Sequence, residues 1–124
     1  MREIIKSFKV LSDETRLRVL NLIVERECCV CEIMQALNIS QSKASRALSA
    51  LHAAGFLKQR REGLWSLYSL ATGEMAEYQT RLVATVRHAL AKTESVSLDQ
   101  KRLKSAKRTG ITCVSCAPAP AVKE

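Results

Sequence analysis

The pattern that most limits this chain is a pair of short helical stripes, parted by a tight turn and followed at once by two strand-like runs. Ile33, Met34 and Leu37 make the first stripe, which ends near Asn38. Ala44, Leu48 and Leu51 make the second at i, i+4 and i+7, with Ser40 placed to cap it. Ala54-Gly55 stops that helix, since glycine suits the left-handed position just past a helix end. Leu57–Arg61 and Leu64–Leu70 then read as strands around Glu62-Gly63, a hairpin turn whose glycine can take positive φ. Helices over about 31–37 and 40–54 with a hairpin behind them predict a winged helix-turn-helix, a mainly α fold with a two-stranded β wing.

Helices flank this unit. Ile4, Ile5, Phe8 and Leu11 predict a first helix over 2–11. Ser12-Asp13 then supplies an N-cap, with Glu14 in the first turn, for a second helix running through Leu17, Leu20, Ile23 and Val24 to about Glu25. Beyond the hairpin, Thr72 is read as the cap of a last long helix carrying Met75, Tyr78, Leu82, Val86 and Leu90 on one face. That stripe exceeds what so small a core needs, so part of it is expected to pack on a second subunit. From about Ser95 the pattern fades into the basic run Lys101–Arg108 and the terminus Ala117-Pro-Ala-Pro-Ala. Residues 1–93 are therefore taken as one domain and 94–124 as a basic tail, expected to be disordered in isolation.

Charge narrows the class of partner. The net charge is +8, and residues 101–124 hold +5 of it, leaving only +3 for residues 1–100. A polyanion is implied, nucleic acid being the commonest. No apolar run approaches the roughly 20 residues that span a bilayer. The N-terminus lacks the apolar stretch of a secretory signal, so a cytoplasmic protein with no membrane role is expected.

In a winged helix-turn-helix the second helix enters the major groove by its N-terminal residues. Here these are Gln41, Ser42, Lys43, Ser45 and Arg46. Glutamine can pair bidentately with adenine and arginine with guanine, while serine and lysine suit phosphates or either base. Lys58, Arg60 and Arg61 on the hairpin are placed for backbone or minor-groove contact. Double-stranded DNA is the partner these eight residues predict.

The five cysteines form two clusters, Cys28, Cys29 and Cys31, then Cys113 and Cys116. An odd count in a chain without a secretory signal argues for thiol chemistry or metal binding over a disulfide framework. Thiolates are soft ligands that select soft or borderline ions. Three cysteines within four positions, beside Glu27 and Glu32, are more than a buried apolar cluster requires.

Four segments, Leu11-Ser-Asp-Glu-Thr-Arg-Leu-Arg-Val-Leu20, Glu27-Cys-Cys-Val-Cys-Glu-Ile33, Ser40-Gln-Ser-Lys-Ala-Ser-Arg46 and Gly55-Phe-Leu-Lys-Gln-Arg-Arg-Glu-Gly63, resemble the ArsR/SmtB family of metal-sensing repressors. The resemblance runs from about residue 2 to 92. It implies a homodimer through the first and last helices that binds an imperfect inverted repeat and releases it when inducer binds. Cys29-Val30-Cys31-Glu32 matches the element that arsenite- and cadmium-type members carry at the start of the third helix. The arsenite-type element has a further cysteine three residues on, where this chain has Met34. Cadmium-type members draw extra thiols from a long N-terminal arm that is not seen here, which favours a metalloid, arsenite or antimonite, as inducer. Zinc-type members use histidine and carboxylates on the last helix, where His88 stands alone; His52 is read as packing or touching a phosphate.

On a regular helix, residues i and i+2 lie about 200° apart. Cys29 and Cys31 are therefore expected to share an ion only if the helix start opens, which would disturb Gln41–Arg46 downstream. A third ligand is expected from Cys28, with Cys113 or Cys116 as the alternative source. The rival readings are a repressor of the same fold sensing another soft metal or thiol oxidation, and a thiol enzyme or metal carrier with no DNA role. Cys113-Val-Ser-Cys116 lacks the βαβ context of a thioredoxin-like motif.

Overall fold

The computed structural model describes residues 1–108. Its elements follow in the order α1 (Arg2–Leu11), α2 (Glu14–Ile23), α3 (Val30–Leu37), α4 (Gln41–Ala53), β1 (Leu57–Glu62), β2 (Trp65–Leu70), α5 (Glu77–Leu90) and α6 (Glu94–Ser105). The core is aliphatic. Val19, Leu20, Leu22 and Ile23 of α2 meet Ile33 and Leu37 of α3, and Leu48 and Leu51 of α4, with Phe56 sealing the hairpin end. No described helix is long and apolar enough to cross a membrane.

The helix-turn-helix is capped by its own sequence. Ser40 Oγ accepts the Lys43 amide at 3.2 Å, satisfying one of the otherwise unpaired first-turn donors of α4. Asn38 closes α3 in the left-handed region (φ 56°), and Gly55 stands past α4 at φ 92°. Asp13 caps α2 by accepting the Arg16 amide at 3.0 Å, and α2 ends at Ile23, two residues before the expected Glu25.

β1 and β2 pair antiparallel from Leu57↔Leu70 to Glu62↔Trp65. The connecting pair is Gly63-Leu64 rather than Glu62-Gly63, with Gly63 at φ 60° supplying the positive angle the turn requires. A third segment joins this sheet: Cys28 and Tyr68 form an isolated antiparallel bridge, with N–H to O distances of 3.0 and 2.8 Å.

Two expectations need correction. Thr72 does not cap the last long helix. Gly73 (φ 86°) turns the chain there, and α5 starts four residues later with Ala76 as N-cap. The residue that closes that start is Gln79, whose Oε1 accepts the Ala76 amide at 3.1 Å and whose Nε2 donates to Ala54 O (2.9 Å) and Ser7 Oγ (3.2 Å). One buried amide thus ties α5 to the end of α4 and to α1.

The second correction concerns residues 94–105, placed in the tail on sequence but forming α6. Val96, Asp99 and Leu103 are its buried residues, at i, i+3 and i+7. The middle position of that stripe is a carboxylate, made tolerable by Arg18 of α2, which donates to it twice, at 2.8 and 2.7 Å. Leu98, the other leucine, is exposed. α6 packs mainly on α3 and also on α2. Arg26 strengthens the contact by donating to Leu103 O at 3.1 Å.

Candidate DNA interface and thiol site

Gln41, Ser42, Lys43 and Arg46 are exposed on the first turns of α4, and Ser45 is half-buried beside them. Their opposite face, Ala44, Ala47, Leu48 and Leu51, is buried. The packing therefore turns the polar set outward, as a groove-reading helix requires. Lys58, Arg60 and Arg61 are exposed on β1. Arg60 is engaged, however: Nε and Nη2 each donate to the Glu27 carboxylate at 2.8 Å, and Nη2 also reaches Glu62 at 2.8 Å. His52 is exposed at the end of α4 with its ring edge-on to Tyr68, 6.3 Å between centroids, and His88 is exposed on α5.

The three clustered thiols lie inside the protein. Cys28 and Cys29 are fully buried and Cys31 nearly so. Cys29 is the N-cap of α3, with φ −98° and ψ 172°, so it stands outside the helix. Its sulfur meets that of Cys31 at 3.1 Å. The expected obstacle to a shared ion, two side chains on opposite sides of a helix, does not arise, because extended backbone at the cap swings Cys29 round to Cys31. Cys28 is built differently. It sits in the bridge to Tyr68 and its thiol donates to Arg26 O at 3.4 Å. Along extended backbone successive side chains point to opposite faces. Among the described residues, no three His, Cys, Asp or Glu side chains form a metal-holding group.

Glu32 organises the site. Its Oε1 accepts the Cys29 amide at 2.9 Å, closing the start of α3, and its carboxylate is paired with Arg26 (2.9 Å) and Arg108 (3.1 Å). Burial pushes this carboxyl up, but the Cys29 amide and the two arginines outweigh it and hold it below the usual glutamate range. The thiols move the other way. Burial raises Cys28 to about 12. Cys29 is raised further, by its hydrogen bond with Cys31 and by burial. Burial and the sulfur contact thus favour the thiol form of Cys29 over the reactive thiolate.

The chain leaving α6 closes over this pair. Lys107 O accepts from Gln35 Nε2 at 2.8 Å and from the Cys31 thiol at 3.7 Å, and Gln35 Oε1 accepts the Lys107 amide at 3.1 Å. Sequence reading did not find Arg26, Gln35 or Arg108 as parts of this site. Glu32 was visible only as a member of the Cys-Val-Cys-Glu element. Cys113 and Cys116 lie outside the described residues.

Recognition-helix cations, a basic wing and a buried dithiol at the start of the helix-turn-helix define a winged-helix regulator. The family model for bacterial regulatory proteins of the arsR family matches residues 13–59. The chain is 50% identical over 74 residues to the arsenic resistance transcriptional regulator ArsR1 of Pseudomonas putida, covering 56% of this chain and 58% of that one. It is 46% identical over 68 residues to the arsenical resistance operon repressor of Escherichia coli, covering 54% and 58%. The chain thus spans little more than half the length of these two relatives. An HTH-type transcriptional regulator of Mycobacterium tuberculosis is 36% identical over 89 residues, 71% of this chain and 75% of that one. Among solved structures, a homodimeric winged helix-turn-helix DNA-binding domain from Mycobacterium bovis superposes with a TM-score of 0.61 at 29% identity, covering 75% of this chain and 82% of that one. The chain belongs to the arsR family of bacterial regulatory proteins. Those named here are regulators, and a thiol enzyme or carrier has no counterpart among them.

Proposed function

We propose that the protein is a dimeric transcriptional repressor that holds operator DNA through α4 and the wing and leaves it when arsenite or antimonite binds Cys29 and Cys31. The observation that carries this reading is the 3.1 Å approach of the two sulfurs at the N-cap of the first helix-turn-helix helix. Two converging sulfurs suit a soft trivalent metalloid. The names of two relatives refer to arsenic resistance, and the Mycobacterium bovis neighbour is homodimeric.

The same position explains how binding could reach the DNA. Cys29 caps α3, whose C-terminal turn leads directly into α4. The segment just before it is tied to the wing twice, through the Cys28–Tyr68 bridge and the Glu27–Arg60 pair. A metalloid that reorganises Cys29 therefore acts on both DNA-facing elements at once.

The test uses a labelled fragment of the gene's own promoter and fluorescence anisotropy. Under reducing conditions arsenite should release the wild-type protein, while Cys31→Ser should stay bound at every arsenite concentration. Release by peroxide without arsenite would point to thiol oxidation instead. A wild-type complex indifferent to arsenite defeats the reading.

A further inference from the structure

We infer that residues 106–108, where the chain leaves α6, are a gate over the Cys29–Cys31 pair. Its latches are Arg108 on Glu32 and Gln35 on Lys107, and small solutes enter beside it, between α3 and α6. The ligand rests on the arsenite reading; the gate itself does not. Both sulfurs are buried, and Lys107 O lies 3.7 Å from that of Cys31. A solute that reaches Cys31 from the α6 side has to displace this carbonyl. A groove of about 440 Å³, lined by Gln35, Lys101, Arg102, Ser105 and Ala106, adjoins the segment. Its lining offers amide, hydroxyl and cationic donors, which suits a small oxygen acid such as arsenous acid.

The placing of the latches decides what moves. α6 as a whole is pinned by Arg18, which donates twice to the buried Asp99, and by Arg26 on Leu103 O at 3.1 Å. Lifting the helix would part a charge pair with one member wholly buried, a costly way to open. Beyond Ser105 the balance differs. The helix ends there and Ala106 is extended (φ −71°, ψ 146°), so the next two residues can swing about it. Glu32 is held by three groups, the Cys29 amide (2.9 Å), Arg26 (2.9 Å) and Arg108 (3.1 Å). When Arg108 leaves, the other two remain and no buried charge is orphaned. Gln35 is exposed, so water replaces Lys107 on its amide at little net cost. The gate therefore opens locally while α6 stays docked.

Closed, the segment keeps Cys29 and Cys31 from solutes in the groove; open, it admits arsenous acid to them. Each As–S bond then forms as one As–O bond breaks, the thiol proton leaves with that hydroxyl as water, and arsenic stays trivalent. Opening also reaches the wing side of the site. Arg108 donates to Glu27 O at 3.5 Å, and Glu27 is the residue that holds Arg60 of β1.

Iodoacetamide labelling of the reduced full chain, read residue by residue from peptide masses, tests the gate. The double variant Gln35→Ala/Arg108→Gln should label Cys29 and Cys31 at least tenfold faster than wild type. Cys28, whose thiol faces Arg26 O, should label at the wild-type rate. Loss of the Arg108 cation by itself disfavours thiolate and slows the reaction, so acceleration reports opening and not charge. Lys104→Gln, which removes an exposed cation from α6 without touching either latch, should behave as wild type. Arsenite, followed by sulfur-to-arsenic absorbance, should bind the double variant faster by a similar factor. Wild-type labelling of Cys29 and Cys31 in the double variant, or an equal rise at Cys28, overturns the gate. Faster labelling of the pair with no arsenite binding in either protein leaves the gate standing and overturns the arsenite reading.

Discussion

Arg60 on the wing and Glu27, one residue before the cysteine cluster, form a two-point ion pair with both N–O distances at 2.8 Å. An arginine that sequence alone assigns to DNA is thus partly occupied by the segment that leads into the buried thiols. Both side chains keep contact with solvent, so screening leaves the pair little weight in stability. Its influence on DNA should be larger, because Glu27 competes with phosphate for the guanidinium. Glu27→Gln should bind non-specific DNA more tightly at low salt. The slope of log affinity against log salt should steepen by about 0.9, the value of one added phosphate contact. An unchanged slope would mean that Arg60 does not face the backbone in the complex.

Base reading should rest on α4. Arg46 is exposed two turns from the capped end of the helix, with Ala44 and Ala47 buried on the other side. Arg46→Ala should cost about 1–3 kcal/mol on the operator and little on random sequence, as expected for loss of a bidentate guanine contact. Competition binding against both DNAs measures the ratio. Equal losses on the two would demote Arg46 to a backbone contact.

What could be read from sequence depended on whether a feature was local. The α4 cap and the α1 boundaries follow from neighbours within four residues and have the expected form, and the hairpin is present where expected with its turn one residue later, at Gly63-Leu64. The start of α5 was misplaced because Thr72 is a good capping residue in isolation, whereas the real closure is Gln79, fixed by partners on α1 and α4. α6 was missed because its stripe includes Asp99, apolar in position but not in kind, and only Arg18, 81 residues earlier, makes that burial affordable. At the thiol site the residues were legible but their geometry was not. Helical spacing was applied to Cys29, which sits one step outside the helix.

The Arg18–Asp99 pair gives α6 its own test. Asp99 is 1% exposed, while Arg18 retains some contact with water. Asp99→Ala should therefore cost about 1–3 kcal/mol, in the range for hydrogen bonds to charged groups, instead of the larger loss of a wholly buried pair. Hydrogen exchange should show α6 amides opening faster, with α4 protected as before. Unchanged protection along α6 would show that the apolar contacts of Val96 and Leu103 suffice.

Alkaline stability follows from two buried acids. Burial raises Cys28 to about 12 and also raises Tyr68. A group whose pKa is higher folded than unfolded stabilises the fold fully below its unfolded value, about 8.5 for cysteine and 10 for tyrosine. That contribution is lost as pH rises through the folded value. The urea midpoint should hold near neutrality, fall from about pH 9, and continue falling toward pH 12. Cys28→Ala should blunt the first part of the fall and Tyr68→Phe the later part. Alkaline limbs identical to wild type in both variants would remove burial of these groups as the cause.

The last prediction concerns the apolar face that a single chain leaves open. On α1, Ile4, Ile5 and Phe8 are 36, 46 and 54% exposed, while the face turned inward carries Ser7 and Val10. Ser7 is held there by Gln79 and by Tyr78, whose hydroxyl lies 3.3 Å away, so α1 is locked to α5 with its most hydrophobic edge outward. Contiguous apolar exposure of this kind marks an association surface, and a symmetric dimer buries the same patch from both copies. Phe8→Glu should therefore separate the subunits without unfolding them, because Phe8 makes little contact with its own core. Sedimentation velocity at micromolar concentration should give a dimer for the wild type and a folded monomer for the variant. Operator affinity should fall with it, since one subunit then holds one half-site alone. A wild-type protein that sediments as a monomer, or a Phe8→Glu variant that remains dimeric, places the interface elsewhere.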